Sequence, residues 1–439
     1  MRPLKSLTFD AVRCLLSRTF EQMPDRRAPE RVRYSMHDTL VSAYAMFFFQ
    51  FPSLLKYQQV MKQQRGRCNL ETLFGVRELP SDTQMRDVLD GAPSDPLRRL
   101  LAVLFERVRR AGWGERLKTS LPEGDFYTVV LDGSDHLVSH KVECPLCLRQ
   151  KDPNGMLYRH KVLCATLVKA ASHEILPIDV EAIQNGDGHE KQDCERRAAH
   201  RMIPRLRREH PKLSLIVCGD DLFACEPMVA LMVANRMRYV LVAKPSTHVE
   251  LFRCVEAAEQ WGLIERGQYE EGSGPKIKRR MVEYRFARGV PISAAREQYA
   301  TLLEVWVRDV RGKLLYHNSW VTNLEVTAQT VAIIARIGRS RWKIENEQFN
   351  VHKNGGYELE HNYGHGKNGL AFVLYVLNLL AFVTHQILLM GDRLYQQARS
   401  CDTLKELWNG LRMLMRKMLF ETWTGMLEFW LDDSLPAKT

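Results

Sequence analysis

The sequence predicts an α/β protein: a mixed-sheet core interrupted by a β-rich insertion, with a helical N-terminal domain and a helical C-terminal tail. Three observations carry that prediction. Between Phe126 and Ala243 the chain reads as three strands, helix, strand, helix, strand, and strand–helix–strand alternation demands parallel crossovers. Apolar residues make up 45% and charged residues 26%, which gives a real core and excludes disordered, collagen-like and repeat-driven chains. The length, 439 residues, is about three times that of a usual single domain.

Residues 1–120 read as helices, with Asp38–Leu55 apolar and Pro96–Arg110 amphipathic, broken at Pro80, Gly91, Pro93 and Pro96. Phe126–Leu131 is β-branched and aromatic and stops at the turn signal Asp132-Gly133. Leu157–Val168 and Ile175–Val180 follow as strands, and Asp187–Arg208 as a long polar helix. Leu213–Cys218 is a buried strand ending at Gly219-Asp220-Asp221; Pro227–Arg236 is a short helix and Tyr239–Ala243 a strand. These elements form the first part of the core, residues 125–248. Residues 249–326 break the rhythm with polar β segments (Arg279–Phe286, Leu302–Val310, Leu314–Val321). The second part of the core, residues 327–392, opens with a helix over Thr327–Lys353, capped by Thr327 and ended by Gly355-Gly356. Asn368–Gly391 carries no charge and is long enough to span a bilayer, yet Asn378, Thr384, His385 and Gln386 interrupt it. It reads as a buried core helix, so no membrane partner is expected. Residues 393–439 form the basic helical tail, whose Trp408, Trp423 and Trp430 read as core.

Charge points to a polyanion. The formal net charge is +11, and residues 1–120, with 21 Lys/Arg against 13 Asp/Glu, hold +8 of it. Arg98, Arg99, Arg107, Arg109 and Arg110 on the N-terminal helices are the candidate cations for that polyanion, against a plain solvated face; charge alone does not separate DNA from RNA or an anionic membrane surface. Ten irregularly spaced cysteines do not form a disulfide framework, and the amphipathic N-terminus lacks a signal-peptide core. A cytoplasmic protein with reduced thiols is expected.

Three carboxylates stand where chemistry is expected. Asp132 ends the first strand, Asp220 ends the fourth, and Glu345 lies in the helix after the insertion. If those strands are adjacent and parallel, Asp132 and Asp220 meet at the sheet edge where open α/β sheets bind ligands. Such a cluster calls for divalent cations, and two Mg²⁺ ions suit phosphodiester chemistry. Asp221 competes with Asp220, but successive strand-end side chains point opposite ways; Asp220 is preferred. The helical wheel alone does not decide between Glu345 and Glu347, although Glu345 shares a face with Arg341 and His352. Asp135 reads as a turn or supporting residue.

The segment Gly338–Gly369 (GRSRWKIENEQFNVHKNGGYELEHNYGHGKNG) resembles the C-terminal signature of bacterial insertion-sequence transposases of the DDE class, built on a tyrosine-arginine-glutamate-lysine motif. VVLDGSD at 129–135 and VCGDDLFA at 217–224 resemble that family's two aspartate motifs, and the likeness spans roughly residues 30–420. The resemblance implies a ribonuclease-H-like core in which Asp132, Asp220 and Glu345 hold two Mg²⁺ (or Mn²⁺) ions, and Arg341 holds a DNA phosphate. It favours Glu345 over Glu347. The motif tyrosine is replaced by Gly338; the lysine position holds His352, with Lys353 next, and either would bind phosphate. The implied activity is cleavage at transposon ends and strand transfer into target DNA, by a homodimer on double-stranded DNA. A two-metal nuclease without strand transfer and a catalytically silent DNA-binding relative are the alternatives.

Two further patterns need a reading. Cys144, Cys147, His160 and Cys164 follow Cys-x2-Cys-x12-His-x3-Cys, a spacing that mimics a structural zinc site, with Cys194 as an alternative ligand and reduced loop thiols as the competing reading. Gly364–Gly369 matches G-x-G-x-x-G but lacks the preceding strand of a dinucleotide site; it reads as a loop near the active site or DNA with His365 and Lys367 available to phosphates.

Overall fold

The computed structural model describes residues 5–185, 192–272 and 279–432. Six helices come first: α1 (Phe9–Glu21), α2 (Met36–Phe48), α3 (Leu54–Met61), α4 (Gln64–Phe74), α5 (Asp82–Asp90) and α6 (Ser94–Arg110). Thr8, Ser35, Ser53 and Ser81 cap α1, α2, α3 and α5, each side chain accepting a backbone N–H of the first turn.

The strands β1 (Lys118–Leu121), β2 (Gly124–Ser139), β3 (Leu148–Asp152), β4 (Gly155–Val168) and β5 (Ile175–Ile183) follow. Then come α7 (Glu195–Glu209), β6 (Leu215–Gly219), α8 (Glu226–Ala234) and β7 (Arg238–Val242). After α9 (Val249–Gln260), a meander runs through β8 (Glu265–Glu271), β9 (Arg280–Pro291), β10 (Tyr299–Asp309) and β11 (Leu314–Thr322). All eleven strands join one mixed sheet, in the order β3-β4-β2-β6-β7-β11-β10-β9-β8, with β1 on β2 and β5 on β4. The pairs β2–β6 and β6–β7 are parallel, as the helical crossovers α7 and α8 require. The expected insertion is continuous with this sheet: β11 pairs antiparallel with β7 through Trp320↔Val242, Val321↔Leu241 and Thr322↔Val240.

Three elements depart from the expected boundaries. The expected strand Phe126–Leu131 does not stop at Asp132; β2 runs on to Ser139 because β4 keeps pairing with it, Asp132 lying opposite Cys164. Only its parallel pairing with β6 ends before Asp132, at Val130↔Cys218. The single helix expected over Thr327–Lys353 is three pieces: α10 (Val331–Arg339), a π-helical turn (Ile344–Phe349) and α11 (Asn350–Asn354). Of the polar helix expected over Asp187–Arg208, residues 187–191 lie outside the described residues, and the helix starts at Glu195.

The apolar segment is α12 (Leu370–Gly391), followed by α13 (Arg393–Cys401), α14 (Leu404–Lys417) and α15 (Trp423–Leu431). Among the described residues α12 is the one helix long and apolar enough to cross a membrane, and 83% of its most apolar window is buried inside the protein. Its surroundings explain its composition, because α1, α2, α5, α6 and α13 and strand β5 pack against it, and His385 lies on Trp408 of α14. Tyr44 donates to Thr384 at 2.9 Å, and Phe48 packs on Trp408 and Trp423 with ring centroids 5.4 and 5.3 Å away. The N-terminal and C-terminal regions thus share one hydrophobic core with the sheet. A second core lies between β9–β11 and α10, centred on Trp320.

Candidate active site

Asp132 and Asp220 each lie two residues beyond the last parallel pair of β2 and β6, so the sheet sets them side by side at one edge. Asp132 accepts the Gly133 N–H at 2.9 Å and the Arg341 Nη1 at 2.9 Å. Burial pushes its carboxyl up to about 7; Arg341 opposes that rise, whereas the charges of Glu345 and Glu195 add to it. Asp220 is also raised, first by burial and then by Glu195, while the Leu222 N–H donates to it at 3.0 Å. Asp221 turns away and pairs with Lys244 at 2.7 Å; burial raises its pKa, but Lys244, its own backbone N–H and Thr247 together lower it below the ordinary value.

Glu345 enters from the π turn. Arg341 Nη1 lies 2.7 Å from Glu345 and 2.9 Å from Asp132, so one guanidinium links the sheet edge to the π turn. Glu347 points elsewhere, to Lys343 at 2.9 Å and to His173 at 3.3 Å on the β4–β5 connection. Asp135 pairs with Arg159. Gly338, where the resemblance expects a tyrosine, has no room for a side chain: a Cβ there would come within 2.5 Å of the Trp320 indole.

Sequence reasoning missed Glu195 and Lys161. Glu195, the first residue of α7, forms an ion pair with Lys161 and sits directly over Gly133, where its carboxylate oxygen would collide with any added Cβ. The available signal was topological: a crossover helix leading into parallel β6 must begin at the edge where β2 and β6 end.

Several expected phosphate ligands lie elsewhere. His352 is fully buried, edge-on to Phe382 with centroids 4.5 Å apart, and burial lowers its pKa to about 3. The wheel that aligned it with Glu345 assumes α-helical spacing, and the intervening π turn, bonded i to i+5, rotates the later residues inward. Lys353 pairs with Glu360 at 2.8 Å. Lys367 keeps an exposed side chain, its backbone N–H bonded to Asp90. Arg98 is no surface cation: it is 4% exposed and bonds Asp179 at 2.7 Å, Asp95 at 2.8 Å and Glu209 at 3.0 Å, tying α6 to β5 and α7. Arg99, Arg109 and Arg110 are exposed and paired with Asp95 or Glu106, and Arg107 donates to the Ala11 carbonyl.

The cysteine pattern gathers a buried group that can hold a metal such as zinc, with one member changed: Cys144, Cys147, His160 and His365, whose candidate ligand atoms all lie within 4.8 Å of one another. The expected fourth ligand, Cys164, lies four residues along β4 from His160. Same-face positions four apart on a strand are about 13 Å apart, too far for one ion. Cys164 instead contacts the Tyr375 hydroxyl at 3.1 Å, and Cys194 is exposed. His365, expected near phosphates, is 6% exposed. Local spacing could not have supplied it, because it lies more than 200 positions downstream of the other three.

No known protein family matches this chain, and no curated protein matches it.

Proposed function

We propose that the chain is a metal-dependent polynucleotidyl transferase on a ribonuclease-H-like core, with β5-β4-β2-β6-β7 as the core strands. More narrowly, we read it as a DNA transposase of the DDE class that cuts transposon ends and joins them to target DNA. One observation carries this reading: Asp132 and Asp220 sit side by side past the parallel strands, and Arg341 links Asp132 to Glu345.

The donor set fits hard divalent cations. Asp132 is raised to about 7 because its burial and the neighbouring carboxylates exceed what Arg341 offsets. That is the condition a bound cation relieves. Asp132, Asp220 and Glu345 would hold Mg²⁺ or Mn²⁺, which when bound activates the attacking oxygen and stabilises the leaving oxygen of a phosphodiester. Arg341 exchanges a carboxylate for a phosphate oxygen once those carboxylates are otherwise engaged, and so positions the backbone. Beside it, Arg280, Arg339 and the exposed Trp342 line a groove between the meander and α10, suited to a DNA strand.

The test incubates the full chain and an Asp132→Ala variant with Mg²⁺ and DNA bearing the sequences that flank its gene. Joined products from the unaltered chain alone support the transposase. Cleavage without joining supports a two-metal nuclease, and binding without Mg²⁺-dependent cleavage by either protein supports a silent DNA-binding relative.

A further inference from the structure

We infer that Cys144, Cys147, His160 and His365 form a closed structural Zn²⁺ site that staples the connection before α12 to the β2–β3 connection and strand β4. This stands apart from the enzymatic reading, since it uses none of Asp132, Asp220 or Glu345.

Four of the six ligand-to-ligand distances match the edges of a tetrahedron, and the other two are within 4.8 Å. Zn–S near 2.3 Å and Zn–N near 2.0–2.1 Å imply edges of about 3.8 Å between sulfurs and about 3.6 Å from sulfur to nitrogen. The Cys144 and Cys147 sulfurs are 3.5 Å apart, each is 3.3 Å from His160 Nε2, and Cys147 Sγ is 3.7 Å from His365 Nδ1. Both cysteines are free thiols. Two sulfurs and two imidazoles select Zn²⁺ over Mg²⁺. Four buried protein ligands leave no open position for a substrate, which distinguishes a structural from a catalytic ion.

The location says what the ion holds. Residues 355–369, between α11 and α12, have no helix or strand of their own, and a loop of that length needs ties. On one side Asp90 of α5 accepts the backbone N–H groups of Lys367, Asn368 and Leu370, and Arg86 donates to the Tyr363 carbonyl at 2.7 Å. On the other side His365 reaches the cysteine turn, where Cys147 N–H donates to the Cys144 carbonyl and Asn185 donates to the Cys147 carbonyl. The ion fastens the loop to the sheet while Asp90 fastens it to the helices, and together they fix the start of α12.

The test is the zinc content of the purified full chain and of four variants. The unaltered chain is expected to carry about one Zn²⁺, Cys144→Ser and His365→Ala to lose it, and Cys164→Ser and Cys194→Ser to keep it. Stripping zinc from the unaltered chain should open protease cleavage within 355–369 while far-ultraviolet dichroism is largely retained. That arm stands even if the Cys144 or His365 variants do not fold. A chain purified without zinc that also fails to develop the thiolate-to-metal absorption of tetrahedral Co²⁺ overturns the inference. So does zinc lost from Cys164→Ser but kept in His365→Ala.

Discussion

Asp132→Asn should stabilise the protein in the absence of magnesium, and the gain should grow with pH. Asp132 is 15% exposed, and burial carries its pKa from the ordinary 3.8 to about 7. A carboxyl whose folded pKa is raised binds its proton more tightly in the native state. Its charge therefore costs stability progressively as pH rises from about 3.8 to about 7, and the cost is constant above that. The rise corresponds to about 4 kcal/mol once the group is fully ionised. That figure already contains the attraction of Arg341, which pulls the pKa down. Asparagine keeps the shape and the oxygen that accepts the Gly133 N–H but carries no charge. Urea unfolding of both proteins between pH 4 and 9 checks this, in magnesium-free buffer without a chelator so that the cysteine–histidine group keeps its ion. The two curves should meet near pH 4 and diverge by up to about 4 kcal/mol by pH 8. Saturating Mg²⁺ should then raise the unaltered protein by about 2–3 kcal/mol, as ligation at about a hundred times Kd does, and the variant by much less. A variant less stable than its parent at pH 8, or a gap that does not widen with pH, would refute the reasoning.

Arg98→Ala strands Asp179 without one of its guanidinium partners and should cost about 3–5 kcal/mol in urea unfolding, while Arg99→Ala and Arg110→Ala stay within about 0.5 kcal/mol. Gly338→Ala forces a Cβ into the Trp320 ring and should cost about 1–3 kcal/mol, read as a lower melting temperature; an additional Trp320→Phe substitution should recover part of that loss. His352→Leu removes two buried ring nitrogens that lack hydrogen-bond partners, and should leave stability at pH 7 unchanged or higher. His352 has a depressed pKa, so its contribution is complete above pH 6.5 and is lost as pH falls toward about 3; the variant's advantage should therefore increase on acidification in the same titration.

The layout of the core was legible because each of its signals is local. Leu213–Cys218 and Tyr239–Ala243 are short apolar runs with a helix before each, and that pattern admits only parallel crossovers. The strands nearest the surface were less visible. β3 (LRQKD) and β8 (ERGQYEE) are polar on both faces, and their pairing with β4 and β9 rather than their composition makes them strands. The length of β2 was hidden for the same reason: Asp132-Gly133 is a turn signal in isolation, but the antiparallel partner β4 overrides it and carries the strand through.

The aspartate edge was readable from topology, whereas the residues that complete each cluster were readable only where the helix kept its period. Arg341 and Glu345 are four apart and meet as the wheel expects. Seven residues beyond Glu345 the same wheel fails, because the π turn inserts its extra spacing between Glu345 and His352 and turns the histidine into the core. The departure has a use. An unbroken α-helix would keep His352 on the face of Glu345; the π turn instead separates a polar face, where Glu345 meets Arg341, from an apolar one, where His352 packs on Phe382 of α12. The segment thus presents a carboxylate to the sheet edge and is anchored by α12, a helix almost wholly enclosed by the protein. His365 follows the same logic at longer range. It lies in the loop that leads into α12, so the packing of α12, rather than any spacing in the sequence, delivers it to Cys144, Cys147 and His160.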